Sequence, residues 1–329
     1  MSPSGPPRGT PRLIALDWGT TSLRAYLLGD GGVVLDRRAE PSGLLQLPDR
    51  DFDAAYQRAV GDWLQRHPGL PALACGMVGS AQGWIEVTYV PIPAGIVEIS
   101  RGLTSVPGCE LRIVPGVARL GDSPNVMRGE ETQVVGALAM RPELAERSLV
   151  VLPGTHSKWV SVRDGRLQDF GTFMTGELFG VLRAHSILGR YAREHPDEAE
   201  LSTASDAFAR GVLVSRAGRQ GLSPLLFSTR AAVLVGDLPA GDSMDYLSGL
   251  LIGDEVRAGL AEGRRPDALV GDPSLCARYL AALELFGVGG VTVLDDTAPA
   301  GLWVIDQHAS LGVQRGAGPS RSPVSGRAN

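Results

Sequence analysis

The chain has 329 residues, 43% of them apolar and 20% charged, so it is long enough for two domains with buried cores. A formal net charge of −5 argues against nucleic acid or an anionic membrane as partner, because no block of lysine and arginine stands out. The three cysteines show no paired spacing typical of disulfides or a zinc site. No apolar run approaches the roughly 20 residues that span a bilayer, and residues 1–11 lack a signal-peptide core, so we expect a cytoplasmic protein.

The first motif is a strand that runs into an acidic residue and a turn of small residues. Residues 13–16 are apolar, Asp17 follows them, and Gly19, Thr20 and Thr21 form the turn. Such a turn can bind the phosphates of a nucleotide through its backbone N–H groups, and the carboxylate can hold the waters of Mg²⁺. A plain hairpin with a solvated aspartate is the alternative, because turns favour the same residues in general.

Apolar periodicity predicts the next elements. Residues 23–28 and 33–35 form two strands joined by a glycine-rich turn, and Asp53 caps a helix. Residues 70–78 form a strand that leads into Gly79, Ser80 and then Trp84, and residues 108–115 form a further strand. A glycine-rich turn beside a buried tryptophan explains this stretch without any ligand.

A helix that begins with two carboxylates is predicted after Arg128 and Gly129. Glu130 and Glu131 occupy its first turn, and one apolar face consists of Val134, Val135, Leu138 and Ala139. Acidic residues are common at this place because the helix macrodipole favours them by about 0.3 to 1 kcal/mol. The same field should keep Glu130 ionised until the pH is well below neutral.

A second strand, glycine-threonine turn and strand occur at residues 149–162. Gly154 and Thr155 form the turn, and His156 and Lys158 follow before an alternating strand reaches an Asp-Gly hairpin turn. Two such hairpins, far apart in the sequence, predict two similar half-domains.

The rest of the chain predicts mainly helices, and none of the five histidines has the spacing of a metal site. Helices are expected from Thr175 onward, at residues 204–215 and at residues 245–260. Residues 268–275 predict a strand, a turn at Gly271 and a helix start, and a closing helix follows residues 295–301.

Several motifs in this order resemble those of the 2-dehydro-3-deoxygalactonokinase family. They are LDWGTTSLRAYL, CGMVGSAQGW, NVMRGEETQVVGA, PGTHSKWV, FMTGELF, YLSGLLIGDEV and DDTAPAG. They cover about residues 12 to 312, and their joint occurrence is more specific than any one of them. The resemblance implies the α/β fold of the actin, hexokinase and sugar-kinase superfamily, with two ribonuclease-H-like domains whose mixed sheets flank an interdomain ATP cleft.

The resemblance further implies a first kinase domain at residues 12–147 and a second at 148–313. The composition of residues 1–11 and 314–329, rich in glycine, proline and serine, predicts that these two segments are flexible. The resemblance also implies ATP and Mg²⁺ as cofactors and ATP-dependent phosphorylation of 2-dehydro-3-deoxy-D-galactonate at its 6-hydroxyl, in galactonate catabolism. A kinase for another sugar or sugar acid is an alternative, and so is an actin-like nucleotide switch without a small acceptor. A homodimer is allowed for.

The roles of individual residues are also implied by the resemblance. Asp17 would hold magnesium through water, and Glu130 would be the catalytic base, with Glu131 and then Asp122 as the next candidates. The nucleotide would be bound by Asp17, Gly19, Thr20, Thr21, Gly154, Thr155, His156, Lys158, Gly271 and Ser274. The substrate would be bound by Gly79, Ser80, Trp84, Arg128, Thr175 and Glu177.

Two of these residues have an alternative interpretation, and one region differs in sequence from the family. Arg128 suits a substrate carboxylate, but a surface arginine explains it equally. Thr175 caps a helix, contacts substrate, or does both. At the adenosine site the usual Gly-Thr pair of the family is replaced by Asp272 and Pro273.

Overall fold

The computed structural model describes residues 9–195, 201–202, 205–218 and 221–316. Within these residues, no helix combines the length and apolar character needed to cross a membrane. Most of the two segments predicted to be flexible lies outside the described residues. Of the described remainder, Pro11 belongs to the first strand and the last helix reaches Gly316.

The described residues form strands and helices with the following bounds. The strands are β1 (Pro11–Trp18), β2 (Leu23–Gly29), β3 (Val34–Glu40), β4 (Ala72–Cys75), β5 (Val90–Pro91), β6 (Ala94–Gly95), β7 (Thr104–Ser105), β8 (Leu111–Ile113), β9 (Val117–Arg119), β10 (Asn125–Met127), β11 (Arg147–Leu152), β12 (Ser157–Arg163), β13 (Arg166–Phe173), β14 (Ala268–Val270) and β15 (Thr292–Leu294). The helices are α1 (Phe52–Arg66), α2 (Ile96–Arg101), α3 (Glu130–Met140), α4 (Thr175–His185), α5 (Arg190–Glu194), α6 (Asp206–Ala217), α7 (Leu222–Leu226), α8 (Ser228–Leu234), α9 (Ser243–Gly259), α10 (Pro273–Leu285) and α11 (Ala298–Gly316).

The chain divides into two compact units by its internal contacts. The first unit contains the chain up to Thr88, the segment Ile96–Pro115 and the chain from Leu302 onward, and the second contains Tyr89–Gly95 and Gly116–Gly301. This division differs from the predicted boundary between residues 147 and 148. Helix α3 falls in the second unit, where the Thr297 hydroxyl donates to the carbonyl of Gln133 at 2.9 Å.

The first unit contains a sheet in the order β3-β2-β1-β4-β8-β7. Strands β1, β2 and β3 pair antiparallel, whereas β4 runs parallel to β1 and β8 runs parallel to β4. Helix α1 buries Phe52, Tyr56 and Trp63 in the core of this unit. The predicted cap of α1 was wrong, because Asp51 rather than Asp53 accepts the Ala54 N–H, at 2.9 Å.

The second unit contains a sheet with the same arrangement, in the order β15-β14-β11-β12-β13-β6. Here β11, β12 and β13 pair antiparallel, and β14 and β15 continue parallel to β11. The order β13-β12-β11-β14-β15 therefore repeats β3-β2-β1-β4-β8, which confirms the prediction of two similar halves. A small sheet, β10-β9-β5, belongs to the second unit as well.

The apolar face predicted for α3 was only partly right. Val134 and Val135 are buried, but Ala139 is exposed and Leu138 is half-buried, while Glu131 and the small residues on its other sides are buried. The helix is buried on more than one face, which the apolar stripe in the sequence does not predict.

Candidate active site

The first glycine-threonine turn joins β1 to β2. The Gly19 N–H donates to the Ser22 carbonyl at 2.9 Å and closes the turn, and Thr20 and Thr21 are exposed. Among the residues that the structure describes, the N–H groups of Thr20 and Thr21 have no acceptor. Two adjacent backbone donors in an exposed turn can bind an anion, which is the role that the sequence predicts for this turn.

Asp17 is the next-to-last residue of β1 and lies opposite Arg24 and Cys75 in the sheet. Its side chain is 18% exposed, and Arg24 Nη1 lies 3.8 Å from Asp17 Oδ2. No cluster of three His, Cys, Asp or Glu side chains that could hold a metal occurs in the described part of the chain. One accessible carboxylate suits Mg²⁺ that keeps most of its waters and is bound chiefly through nucleotide phosphates.

Gly43 supports this turn from behind and was not predicted. A Cβ atom on Gly43 would lie 2.3 Å from the Thr21 carbonyl carbon and 2.4 Å from the Thr20 carbonyl oxygen. In addition, the N–H groups of Leu44 and Leu45 donate to the Gly19 and Thr20 carbonyls at 3.2 and 3.1 Å. A Pro-Ser-Gly sequence signals a turn but not what packs against it, so the sequence alone gave no sign of this role.

The predicted acceptor residues of the first unit lie in two different surroundings. Gly79 and Ser80 are buried, and within the described residues the Ser80 hydroxyl has no hydrogen-bond partner. The ring of Trp84 stacks on Phe52, with centroids 6.2 Å apart, and meets the edge of Trp18. Trp84 therefore packs against the aromatic core but is only half-buried, whereas the ligand-free interpretation of this stretch expects a buried tryptophan.

The second turn joins β11 to β12 and is closed differently. The Gly154 N–H donates to the hydroxyl of Ser157 at 3.3 Å. Thr155 and His156 are exposed, and their N–H groups meet no acceptor in the described parts of the chain. The second turn thus presents the same pair of backbone donors as the first.

Helix α4 begins directly beside this second turn. The Glu177 N–H donates to the Thr155 carbonyl at 3.0 Å, and the side chains of His156 and Glu177 are hydrogen-bonded. The predicted cap was wrong: no side chain caps α4 among the described residues, and the Thr175 hydroxyl donates to Glu255 instead. The structure therefore joins one predicted substrate residue, Glu177, to the predicted phosphate turn, whereas the hydroxyl of Thr175 bonds to Glu255.

The predicted adenosine region lies next to the same turn. A Cβ atom on Gly271 would be 3.5 Å from the Pro153 carbonyl oxygen. Asp272 caps α10, where it accepts the N–H groups of Ser274 and Leu275 at 3.0 and 3.1 Å. The replacement of the Gly-Thr pair thus supplies a helix cap, with Pro273 at the first helical position.

Lys158 is the only lysine among the 31 lysine and arginine residues of the sequence. Lys158 is 5% exposed, and its ammonium donates to the Val126 carbonyl at 3.1 Å and to the Thr172 hydroxyl at 2.9 Å. Burial lowers the pKa of Lys158, while the negative charges of Glu130 and Glu131 oppose that shift. A buried cation thus lies in the field of both candidate bases.

The two glutamates at the start of α3 differ in accessibility. Glu130 is half-buried and accepts the Arg128 N–H at 2.9 Å, whereas Glu131 is fully buried and accepts from the Gly129 N–H at 2.7 Å and the Thr132 hydroxyl at 2.9 Å. Burial raises the pKa of Glu130, opposed by the charge of Lys158. Burial, and then the charge of Glu130, raises the pKa of Glu131 to about 7. Burial therefore shifts the pKa of Glu130 in the direction opposite to the one that the helix macrodipole favours.

The remaining candidates near α3 are Arg128 and Asp122. Arg128 is 8% exposed, and its guanidinium carbon lies 4.3 Å from the centre of the Tyr89 ring. The surface interpretation of Arg128 is therefore wrong. Asp122 is exposed in the loop between β9 and β10.

The fold and the two turns define the class of this protein. Two sheets of the same strand order, each with a glycine-threonine turn after its first strand, are the architecture of the actin- and hexokinase-type ATPases, which include the sugar kinases. Residues 17–305 match the family described as 2-keto-3-deoxy-galactonokinase. The chain belongs to this family.

Individual relatives agree with the family match. The chain is 39% identical to "Probable 2-dehydro-3-deoxygalactonokinase DgoK1" of Rhizobium meliloti (strain 1021), over 88% of this chain and 94% of that protein. It is also 39% identical to the 2-dehydro-3-deoxygalactonokinase of Escherichia coli (strain K12), over 88% and 95% of the two chains. A crystal structure from Sinorhizobium meliloti, provisionally a 2-dehydro-3-deoxygalactonokinase, is 37% identical, with a TM-score of 0.81 over 92% of this chain and 99% of that one.

The raised pKa of Glu131 predicts how stability depends on pH. Its ordinary value is 4.5 and its folded value is about 7, so the unfolded chain releases this proton first as the pH rises. The stabilisation is full below pH 4.5 and is lost as the pH approaches 7, a change on the order of 2 to 3 kcal/mol. Denaturant unfolding between pH 4.5 and 7 should show this slope in the wild type and a shallower slope in Glu131→Gln, in which the raised pKa values of Glu130 and Glu255 still contribute. Glu143→Gln, at an exposed glutamate, should keep the slope, and equal slopes in wild type and Glu131→Gln would contradict the assignment.

Proposed function

We propose that this chain transfers the γ-phosphoryl group of ATP to the 6-hydroxyl of 2-dehydro-3-deoxy-D-galactonate, in galactonate catabolism. The observation that carries the proposal is the match to the kinase family over residues 17–305, joined by two relatives of that activity at 39% identity. A half-buried carboxylate in the field of a buried lysine, in the unit that holds the second turn, supports a site for phosphoryl transfer. A homodimer and a cytoplasmic location stay predictions of the sequence.

In this proposal Glu130 is the general base. It accepts the proton of the acceptor hydroxyl while the hydroxyl oxygen bonds to the γ-phosphorus and the bond from that phosphorus to the bridging oxygen breaks, which releases ADP. Glu130 suits this role better than Glu131, because only Glu130 is partly accessible and Glu131 already accepts two hydrogen bonds. Lys158 stabilises the ionised base and the negative charge on the phosphoryl group.

The two turns bind phosphate through the backbone N–H groups of Thr20, Thr21, Thr155 and His156. Magnesium, when bound, neutralises charge on the phosphate oxygens, and Asp17 would hold it through water. In this proposal Gly271 and Ser274 bind the nucleoside.

On the acceptor side, we assign the substrate carboxylate to Arg128 and a substrate hydroxyl to Ser80. A guanidinium offers the planar pair of donors that a carboxylate fits. A buried hydroxyl that bonds to no described residue is costly unless a ligand or water bonds to it, which favours a contact at Ser80. A kinase for another sugar acid would use the same features, whereas an actin-like switch needs no base at Glu130.

The acceptor is tested by ADP release from MgATP across a panel of 2-keto-3-deoxy sugar acids and neutral sugars. We expect rapid release with 2-dehydro-3-deoxy-D-galactonate and slow release with sugars that lack the carboxylate. Faster release with a neutral sugar would contradict the proposed acceptor. ADP release that no acceptor stimulates would favour the switch.

Replacement of the base should separate the two glutamates. Glu130→Gln should bind both ligands and lower kcat by about 10²-fold or more, with kcat/KM falling in parallel, whereas Glu131→Gln should do much less. Because burial raises the pKa of Glu130, the wild-type rate should fall on acidification at a higher pH than for an ordinary glutamate. A crippled Glu131→Gln with an active Glu130→Gln would shift the base by one residue. If both stay active, Asp122 is the next candidate.

Asp17→Asn should bind ATP but lose most turnover, because the substitution keeps the shape and removes the charge that holds magnesium. Turnover is measured over a magnesium titration, with Asp30→Asn as control, since Asp30 is an exposed partner of Arg12 in the same unit. Near-normal turnover of Asp17→Asn at saturating magnesium would refute the assignment.

A further inference from the structure

A buried carboxylate beneath the second turn takes no part in the chemistry described so far. Glu255, in α9, is 2% exposed. It accepts hydrogen bonds from Trp159 Nε1 at 2.8 Å, from the Tyr279 hydroxyl at 2.7 Å and from the Thr175 hydroxyl. Burial raises the pKa of Glu255, and these donors oppose the shift by stabilising the ionised form. One carboxylate thus connects β12, α4, α9 and α10.

The hydrogen atoms in this network can be placed when Glu255 is ionised. A carboxylate only accepts, so Tyr279 gives its proton to Glu255. Tyr279 must then accept from the hydroxyl of Ser157, 2.8 Å away. The proton of Ser157 is used in that bond, and its oxygen is left to accept the Gly154 N–H at 3.3 Å. The bond that closes the second turn is therefore the end of a directed chain that starts at Glu255.

A second connection runs from Glu255 through Thr175. This residue starts α4, and Gly176 follows it so close to the turn that a Cβ atom there would lie 2.5 Å from the Gly154 carbonyl oxygen. The Glu177 N–H then donates to the Thr155 carbonyl at 3.0 Å. Glu255 thus fixes the turn from two sides, through Ser157 and through the start of α4.

We propose that Glu255 is a positioning residue that holds the second turn in the conformation whose exposed N–H groups bind nucleotide phosphate. The inference rests on the proposed function, in which that turn binds the phosphates of ATP. Preorganised donors lose no free energy to rearrangement when the phosphate arrives, so loosening the turn should weaken ATP binding and transfer.

The same helix offers a matched control. Asp245 is also a buried carboxylate of α9, 5% exposed, and accepts from Arg278 Nη1 at 2.8 Å. Its described partners are Arg278 and the Ser202 N–H, and neither belongs to the second turn. Asp245→Asn therefore removes a buried charge from the same helix without touching the turn.

The test compares Glu255→Gln with Asp245→Asn by thermal unfolding, steady-state kinetics and calorimetric MgATP binding. An amide cannot accept at both of its atoms, so Glu255→Gln should raise KM and Kd for ATP by about 10-fold or more while KM for the acceptor changes little. Asp245→Asn should lower Tm but leave both KM values near wild type. If the two variants share one kinetic pattern, or if Glu255→Gln lowers Tm alone, the proposal is overturned.

Two further measurements keep the test decisive. If Glu255→Gln does not fold, Tyr279→Phe interrupts the chain at one bond and leaves Glu255 with Trp159 and Thr175, and it should show a smaller rise of the same kind in KM for ATP. An unchanged KM for ATP in Tyr279→Phe would then overturn the proposal. If the wild type binds MgATP but shows no acceptor-dependent ADP release, the proposed function fails, and the binding comparison still decides the role of Glu255.

Discussion

Each unit must accommodate a hairpin turn whose backbone N–H groups have no acceptor among the described residues. Such groups are tolerated only where water or an anion can bond to them, so the turn must stay exposed and still be held in shape. In the first unit the backbone itself closes the turn, from Gly19 to the Ser22 carbonyl. In the second unit the hydroxyl of Ser157 does so, and the shape of that turn therefore depends on the buried groups that orient this hydroxyl.

The single lysine of the sequence lies buried in the second unit. An arginine at position 158 would need several acceptors arranged in a plane, whereas the ammonium of Lys158 bonds to a carbonyl and a hydroxyl within a small volume. It also places a compact positive charge in the field of Glu130, where burial would otherwise favour the protonated acid. These contacts give a physical reason for lysine at position 158, although all the remaining residues among the 31 lysines and arginines are arginine.

The sequence predicted both hairpins, the helix at Glu130 and the family, because these depend on local periodicity and on motifs. It failed where partners distant in sequence decide the outcome. Thr175 was predicted as a possible cap, but its hydroxyl bonds to Glu255. The surface alternative for Arg128 failed because its guanidinium lies over the ring of Tyr89. Gly43 and Glu255 act through contacts across the fold, and no local pattern distinguishes them from an ordinary turn glycine and an ordinary helix glutamate.

The two glutamates of α3 show how neighbours with the same side chain acquire different roles. Each reaches back to an N–H group two residues earlier, but adjacent residues on a helix point about 100° apart, so one is enclosed and the other stays partly accessible. Their titrations are coupled, since the charge of Glu130 raises the pKa of Glu131. A proton held on Glu131 near neutral pH lowers the repulsion on Glu130 and so helps Glu130 to remain ionised. In the proposed mechanism, the enclosed residue thereby favours the ionised form of Glu130 that a general base requires.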